Sequence, residues 1–374
     1  MAQADERYAF IAEWYDGHAA LVRKYQFLYY PLDSTIEMFD IKNRRIFLKR
    51  SKFEQMTLKD LYIGAIVNVH ARQLKITDYA DQFTKNKLET TTSKTYAMIK
   101  PDAVNRAGDI LNVIHQNDFV IGQMKKLQLT TDQAARFYAE HEGKPFFEKL
   151  LNFMTSGPVV AMELIGVNSV RRWRELLGPT NSLKAKEEAP TSIRAVFGTD
   201  GTKNACHGSD SDESSAREID FFFGNNSPKA AAQFKDCTLA VIKPHAVADG
   251  LAGKIISAIQ KEGFNISTLR MFSLEKANAE EFFEIYKGVV TEYSAMVEQL
   301  CSGRCIAMEI THSEDVATLF REFVGPSDPE IARHLRSHTL RAKFGIDKIQ
   351  NAMHCTDLPD DGVLEVEYFF KILS

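Results

Sequence analysis

"NACHGSDSDESSAREIDFFF" spans residues 204–223, and "NAMHCTDLPDDGVLEVEYFF" spans residues 351–370. In the first, His207 follows Asn204 by three residues and precedes Glu218 by eleven. In the second, His354 follows Asn351 by three and precedes Glu365 by eleven. A single histidine carries little information. The same Asn–His–Glu spacing written twice, each time running into an apolar segment, points to a domain present in two copies.

Working outward from these stretches extends the repeat. "TYAMIKPDAV" (95–104) matches "TLAVIKPHAV" (238–247), and "SGPVVAMELI" (156–165) matches "SGRCIAMEIT" (302–311). "LLGPTNS" (176–182) matches "FVGPSDP" (323–329), and "SIRAVFGTDGTKNACH" (192–207) matches "TLRAKFGIDKIQNAMH" (339–354). The division that follows is a first domain over 1–92, a copy over 93–224, a linker over 225–236 and a second copy over 237–374. The linker lies in "GNNSPKAAAQ" (224–233), which is rich in turn-forming and small residues.

Within each copy the spacing predicts alternating elements. "YAMIK" and "PVVAMELI" read as buried strands, and "FVIGQMKKLQL" and "FNISTLRMFSL" as further strands. "GDILNVIHQND", "GKIISAIQKEG" and "SVRRWRELLG" carry helical periodicity, the last ended by Gly178. "TDQAARFYAEH" reads as a helix capped by its first Thr, and "AREIDFFF" as a short helix in place of a strand. This order predicts an α+β fold of the ferredoxin-like, split βαβ kind, with helices over one face of an antiparallel sheet. Residues 1–90 differ. They hold short aromatic-rich β runs, "YAFIAEWYD", "LVRKYQFLYYP", "STIEMFDI", "RRIFLKR" and "AIVNVHARQLKITDY", with one helical stretch, "TLKDLYIG". They are expected to form a small, mainly β domain.

The 374 residues are 44% apolar and 26% charged, with net charge −4. That balance argues against nucleic-acid binding through bulk charge. No apolar run approaches the ~20 residues of a membrane span. The start, "MAQADERYAFIAEWYD", does not read as a signal peptide. Five cysteines, with Cys301 and Cys305 lacking a second ligand pair, suggest reduced thiols instead of disulfides or zinc.

His207 is the side chain of its motif able to act as a neutral nucleophile near pH 7. A carboxylate eleven residues on could hold one ring nitrogen and leave the other to attack. Lys100, Arg174, Thr180 and Arg194, if convergent, would clamp a polyphosphate. The chain has no G-x-x-x-x-G-K-[ST] loop, so the P-loop solution is excluded. Lys243, Arg321, Ser327, Arg341, Asn351, His354 and Glu365 fall at the matching places of the second copy.

"NACHGSDS", together with "IKPDAV", "KPFF", "SGPVVAME" and "LLGPTN" in that order, resembles the nucleoside diphosphate kinase family across both copies. The resemblance implies γ-phosphoryl transfer between nucleoside tri- and diphosphates through a phosphohistidine, His207. It implies that Phe146 stacks on the base, with Tyr138 and Leu150 also among the retained positions. Lys100 and Asn204 would contact ribose and phosphate, and Arg174, Thr180 and Arg194 would hold phosphates. Ser209 and Glu218 would fix the imidazole. Mg²⁺ would be carried by the phosphates, with no direct protein ligand.

The second copy departs from the pattern. His245 replaces the Asp of "KPDAV", Cys355 replaces a Gly, and "EGKPFFEKL" has no counterpart. Its segment reads as two residues shorter between Tyr286 and Ser302, with Tyr293 the candidate substitute for the stacking Phe. The second copy is therefore expected to be weak or inactive. The whole arrangement resembles a branch of the family whose N-terminal domain is built like a pleckstrin-homology barrel and is shared with ciliary proteins. That implies the cytoplasm and cytoskeleton: the axoneme of a cilium or flagellum, the basal body or centrosome, tubulin and axonemal partners, and the γ-tubulin ring complex. "KNRRIFLKRSK" (42–52), with six basic residues and no acidic one, suits an acidic partner such as tubulin. The alternative is a chiefly structural component with residual or no catalysis. Two fused copies would also form a built-in dimer.

Overall fold

The computed structural model describes residues 6–17, 19–70, 72–88, 92–230, 232–312 and 315–374. Its N-terminal part is a six-stranded antiparallel sheet. The strands are β1 (Tyr8–Asp16), β2 (Leu21–Tyr30), β3 (Thr35–Asp40), β4 (Arg45–Lys52), β5 (Ile66–Val69) and β6 (Arg72–Tyr79), in the order β4-β3-β2-β1-β6-β5. Alternate residues point inward, so Phe10, Tyr25, Phe27, Ile36, Met38, Leu74 and Ile76 form the core. A shift of register between Ile11 and Ala12 bends the β1–β6 pair. Helix Gln82–Leu88 closes the domain, with Thr84 Oγ1 accepting the Ala9 amide at 2.8 Å. "TLKDLYIG" makes only a single 3-10 turn, Leu58–Asp60, because its apolar residues Leu61 and Tyr62 are drawn into the β core. Ile165 and Val120 of the first copy complete that core, so the β domain is seated on its neighbour.

The first copy contributes β7 (Thr92–Ile99), β8 (Val120–Leu127), β9 (Val159–Val167) and β10 (Cys206–Gly208). The second contributes β11 (Cys237–Ile242), β12 (Asn265–Ser273), β13 (Arg304–Thr311) and β14 (Met353–Cys355). All eight strands form one sheet, ordered β10-β7-β9-β8-β12-β13-β11-β14. The order mirrors itself about the β8–β12 junction, where Lys125 pairs with Arg270. The copies are thus fused back to back within a single sheet. Helices Ala107–Gln116 and Ala252–Lys261 reinforce the junction. They touch where Gly108 and Gly253 remove side chains: a Cβ on Gly108 would lie 2.2 Å from the Ser257 nitrogen. Ser257 Oγ donates to Asp109 across the contact at 2.6 Å.

The sheet is covered on both faces, not on one as the element order suggested. Ala97, Ile99, Val160, Met162 and Leu164 face helices Ala107–Gln116 and Ser169–Leu177. Tyr96, Met98, Val159 and Ala161 face Ala134, Leu151, Met154 and Phe222. Strands buried on both sides read as continuous apolar runs, as "PVVAMELI" does. The segment ending "AREIDFFF" is a full helix, Asp212–Phe223. The helix that follows β8 is capped by Thr130, one residue before the expected Thr; its Oγ1 accepts the Gln133 amide while Gln133 reaches back. The linker is packed in place. Lys125 Nζ donates to Ser227 and to the Pro228 carbonyl, and the amides of Gln233 and Phe234 donate to the Glu309 carboxylate. Arg304 joins all three parts, bonding the Tyr62 hydroxyl and, at 2.8 Å, the Ile121 carbonyl.

Candidate active site

His207 sits in the middle of the three-residue strand β10, paired with Met98 of β7. Ala205, in the left-handed region at φ 65°, turns the chain into the strand, and its amide donates to Asp102 Oδ2 at 3.0 Å. Helix Asp212–Phe223 begins at Ser211, whose Oγ accepts the Ser214 amide. Two turns on, Glu218 reaches its carboxylate back to the strand. His207 Nε2–H donates to Glu218 Oε2 at 3.0 Å, and Ser209 Oγ donates to the same oxygen at 2.7 Å. Glu218 is buried, whereas the His207 side chain keeps 21% exposure. This arrangement fixes the tautomer and leaves Nδ1 with its lone pair. Rings of Phe137, Tyr138 and Tyr96 surround the imidazole at 5.5, 6.2 and 5.8 Å.

A second cluster adjoins the first. Buried Lys100 donates to Asn204 Oδ1 at 2.7 Å, and Asn204 Nδ2 donates to the Thr180 carbonyl at 2.9 Å. Burial, then the neighbouring Arg194, lowers the Lys100 pKa to about 8. Arg194 donates to the carbonyls of Gly178 and Cys206, next to His207. Its Nε has no hydrogen-bond partner among the described residues, and burial lowers its pKa. The buried Tyr138 hydroxyl likewise has no partner among them, and burial pushes its pKa up, so it stays protonated. Phe146 stands at the rim, 48% exposed, before helix Phe147–Met154, with buried Leu150 one turn along. Its ring meets His141, which stacks on Tyr138. Arg174 and Thr180 are exposed on the rim.

In the second copy the same core is drawn again. His354 Nε2–H donates to Glu365 Oε2 at 2.9 Å, as does Thr356 Oγ1 at 2.9 Å. The His354 side chain is only 7% exposed. Ala352 takes the left-handed turn at φ 72°, and its amide donates to His245 Nε2 at 3.2 Å. His245 thus does the work of Asp102 as an acceptor. Burial, with Lys243 adding to it, lowers its pKa to about 4, which keeps that nitrogen free to accept. The replacement of Gly208 by Cys355 is matched across the strand. A Cβ on Gly208 would lie 2.4 Å from Trp173, and the Trp173 position in the second copy is the smaller Phe320.

Lys243, Phe283, Arg321, Ser327, Arg341, Asn351 and His354 line one cleft of about 750 Å³. Lys243 donates to the Ile349 carbonyl, not to Asn351, and burial followed by Arg341 lowers its pKa to about 7. Arg341 bonds the carbonyls of Gly325 and Met353, as Arg194 does in the first copy. The rim differs from the sequence reading. Tyr286 corresponds to His141, because both follow an equivalent helix and precede a left-handed glycine, Gly143 or Gly288. From that glycine to the next helix the second copy is one residue longer, Val289–Glu292 against Lys144–Phe146, not two shorter. Glu292 stands where Phe146 stands, and Tyr293 enters the helix with its hydroxyl donating to the Glu280 carbonyl, so it does not fill the stacking position.

Sequence reasoning missed Phe137, which packs on His207, and Trp173, whose Nε1–H donates to the His207 carbonyl at 3.2 Å. Phe137 lies in a helical run beside Tyr138, where it reads as core. Asp102, which holds the turn, was visible only as the residue that changes to His245.

A strand-borne histidine oriented by a carboxylate, beside buried cations, repeats in the copies that the nucleoside diphosphate kinase family model matches, over 93–227 and 236–373, and the first copy adds an exposed aromatic at its rim. The chain belongs to that family. Within it, the chain is similar to the branch with an N-terminal β domain: residues 2–90 match the model described as the nucleoside diphosphate kinase 7 N-terminal PH domain. The rat and mouse proteins named nucleoside diphosphate kinase homolog 7 are each 54% identical over 99% of this chain and 94% of their own. A nucleoside diphosphate kinase of Lawsonia intracellularis is 49% identical over 34% of this chain and 93% of its own. The solved Aquifex aeolicus enzyme is 46% identical over 36% of this chain and 96% of its own, with TM-score 0.35.

Proposed function

We propose that the first copy transfers a γ-phosphoryl group between nucleoside tri- and diphosphates through His207. The carrying observation is the Glu218–His207 hydrogen bond, which holds Nε2–H and presents Nδ1. Nδ1 attacks the γ-phosphorus, an N–P bond forms, and the bond to the nucleoside diphosphate oxygen breaks. A second nucleoside diphosphate then takes the phosphoryl group by the reverse step and frees Nδ1. Glu218 stabilises the charge that the ring gains, and Ser209 holds Glu218. The Tyr138 hydroxyl is placed to donate to the transferred group. Arg194, Arg174 and Thr180 hold phosphates, Lys100 and Asn204 the ribose and phosphate, and Phe146 the base.

No group of three or more His, Cys, Asp or Glu among the described residues could hold a metal by itself. A cleft lined by cations suits Mg²⁺ that arrives on the phosphates, where it would neutralise developing charge. Incubation with γ-labelled ATP should place an acid-labile, base-stable phosphoryl group on the chain. His207→Ala should abolish that label and His354→Ala should leave it nearly unchanged. Equal labelling of His207→Ala and wild type would overturn the assignment.

We infer further that the β domain directs the chain to microtubules, in a cilium or flagellum axoneme or at the basal body or centrosome, with axonemal proteins and the γ-tubulin ring complex as partners. Support comes from the β3–β4 hairpin. Strand β4 is a sheet edge; Arg45 and Lys49 are exposed on it, and Lys42 and Arg44 are exposed in the turn that leads into it. Arg50 is bound to Asp33 and lies over Tyr30, and Lys52 pairs with Glu54, so those two are committed within the domain. Reversing Arg44, Arg45 and Lys49 in the full chain should weaken co-sedimentation with microtubules while His207 labelling persists. Unchanged sedimentation would exclude this surface. A chiefly structural role is favoured by the second copy, which keeps its buried core while its rim has changed.

A further inference from the structure

In the second copy's cleft a carboxylate engages the arginine of the phosphate clamp. Asp357 Oδ1 lies 2.8 Å from Arg321 Nη1, which also donates to the Asp357 carbonyl. The Tyr286 hydroxyl donates to Asp357 Oδ2 at 2.5 Å. Arg321, Tyr286 and Asp357 all line the cleft that also holds Lys243, Arg341 and His354. One carboxylate therefore engages an arginine from helix Val316–Val324 and a hydroxyl from the turn Glu284–Tyr286. A carboxylate offers an arginine the same planar pair of acceptors that a phosphate offers.

The first copy holds the matching residues differently. Asp210 corresponds to Asp357 and bonds Ser214, with Arg174 only a more distant influence on its lowered pKa. His141 stands in place of Tyr286 and meets Lys144 at 2.9 Å, with its ring over Tyr138. The cause lies in the next residues. Ser211 caps a helix that starts at Asp212, which draws Asp210 toward that helix. Leu358 cannot cap, and Pro359–Asp361 form a 3-10 turn, so the second helix starts only at Gly362. The freed Asp357 turns into the cleft.

We propose that Asp357 occupies the phosphate clamp of the second copy with its own carboxylate and thereby sets that copy's affinity for nucleotide. The inference rests on the reading of Arg174 and Arg321 as phosphate ligands. Nucleotide binding in the second copy must displace Asp357 from both Arg321 and Tyr286, and the carboxylate then repels the incoming phosphates. The pair is partly open to solvent, with side-chain exposures of 49% and 38%, so screening limits the effect and the clamp can be released.

The test is calorimetric titration of ADP, in magnesium buffer, into the full chain carrying Arg174→Ala to weaken the first site. Adding Asp357→Asn or Asp357→Ala should tighten binding at the second site by about tenfold, a change of about 1.4 kcal/mol. Adding Arg321→Ala to Asp357→Ala should remove the gain. The proposal is overturned if neither Asp357 variant binds more tightly than its parent, or if the gain survives loss of Arg321. Asp357→Asn keeps the side chain's shape, so its melting temperature, expected within a few degrees of the parent, separates lost folding from lost binding. Arg174→Ala alone tests the underlying reading: an unchanged first-site affinity would refute the clamp assignment whatever Asp357 does.

Discussion

The two clefts share an interior and differ at the mouth. His207, Ser209 and Glu218 are repeated by His354, Thr356 and Glu365 with hydrogen bonds that agree within about 0.2 Å. Beyond that, Phe146 becomes Glu292, His141 becomes Tyr286, and Asp357, the counterpart of the helix-bound Asp210, turns toward the arginine opposite. The triplet packs between strand and helix with its carboxylate largely out of solvent, so it contributes to the fold as well as to chemistry. Losing one member would strand a polar partner out of water. Mouth residues are exposed or half-buried, and changing them costs less stability. A retained histidine and carboxylate are therefore weak evidence that a cleft still turns over nucleotide, and the exposed rim is the better witness.

The largest effect that could break this comparison is at the carboxylates. Glu218→Ala and Glu365→Ala should cost similar stability, about 1–3 kcal/mol each, read by denaturant titration. Glu218→Ala should also lower kcat between about a hundredfold and ten-thousandfold, because the ring loses its orienting partner. Glu365→Ala should leave kcat near wild type. An equal kinetic loss from both would mean that the copies work as one site.

Phe146→Ala comes next. It should raise KM for several nucleotides alike by about 1–3 kcal/mol, roughly 5- to 150-fold, since every base presents a π face. A loss confined to adenine nucleotides would show that base edges are read. At the seam between the copies, Gly108→Ala should destabilise the chain by about 1–3 kcal/mol or more, because the added carbon meets backbone. Gly143→Ala, which meets nothing within 4 Å but sits at φ 78°, should act only through backbone strain of about 1 kcal/mol.

The smallest effect is in pH dependence. Lys100 titrates near 8 in the fold instead of 10.5, so between those values the folded chain has lost a proton that the unfolded chain retains. Its contribution to stability therefore rises as pH increases from about 8 to 10.5. Nucleotide affinity of the first copy should fall over the same range, as the cation beside the phosphates is lost. Proton uptake on ADP binding at pH 8, measured by calorimetry in two buffers of different ionisation enthalpy, should shrink in Lys100→Met. No difference between the variants would place the titration elsewhere.

Much of this was legible from spacing. The eleven-residue interval from His207 to Glu218 survives in the fold because both ends belong to a strand-to-helix unit of fixed length. The repeat itself announced the paired copies. What spacing could not carry was the geometry between segments. The Gly208–Trp173 and Cys355–Phe320 exchange is a volume match between residues 35 apart in the chain, invisible without the packing. Spacing offered Tyr293 for the stacking position because the chain does not show where the rim helix begins; the backbone puts Glu292 there. Burial on the second face of the sheet was signalled by strands that are apolar at nearly every position, such as "PVVAMELI", but the element order alone placed the helices on one face.

The two histidine strands are the outermost members of the eight-stranded sheet. With seven inter-strand steps of ~4.8 Å between them, β10 and β14 stand roughly 30 Å apart. A phosphoryl group spans a few ångströms and moves only by direct transfer between touching atoms. His207 therefore has no route by which to hand its phosphate to His354 of the same chain. Each histidine keeps its own account with the nucleotide pool, and any phosphate found on His354 must have entered through its own cleft or come from another molecule.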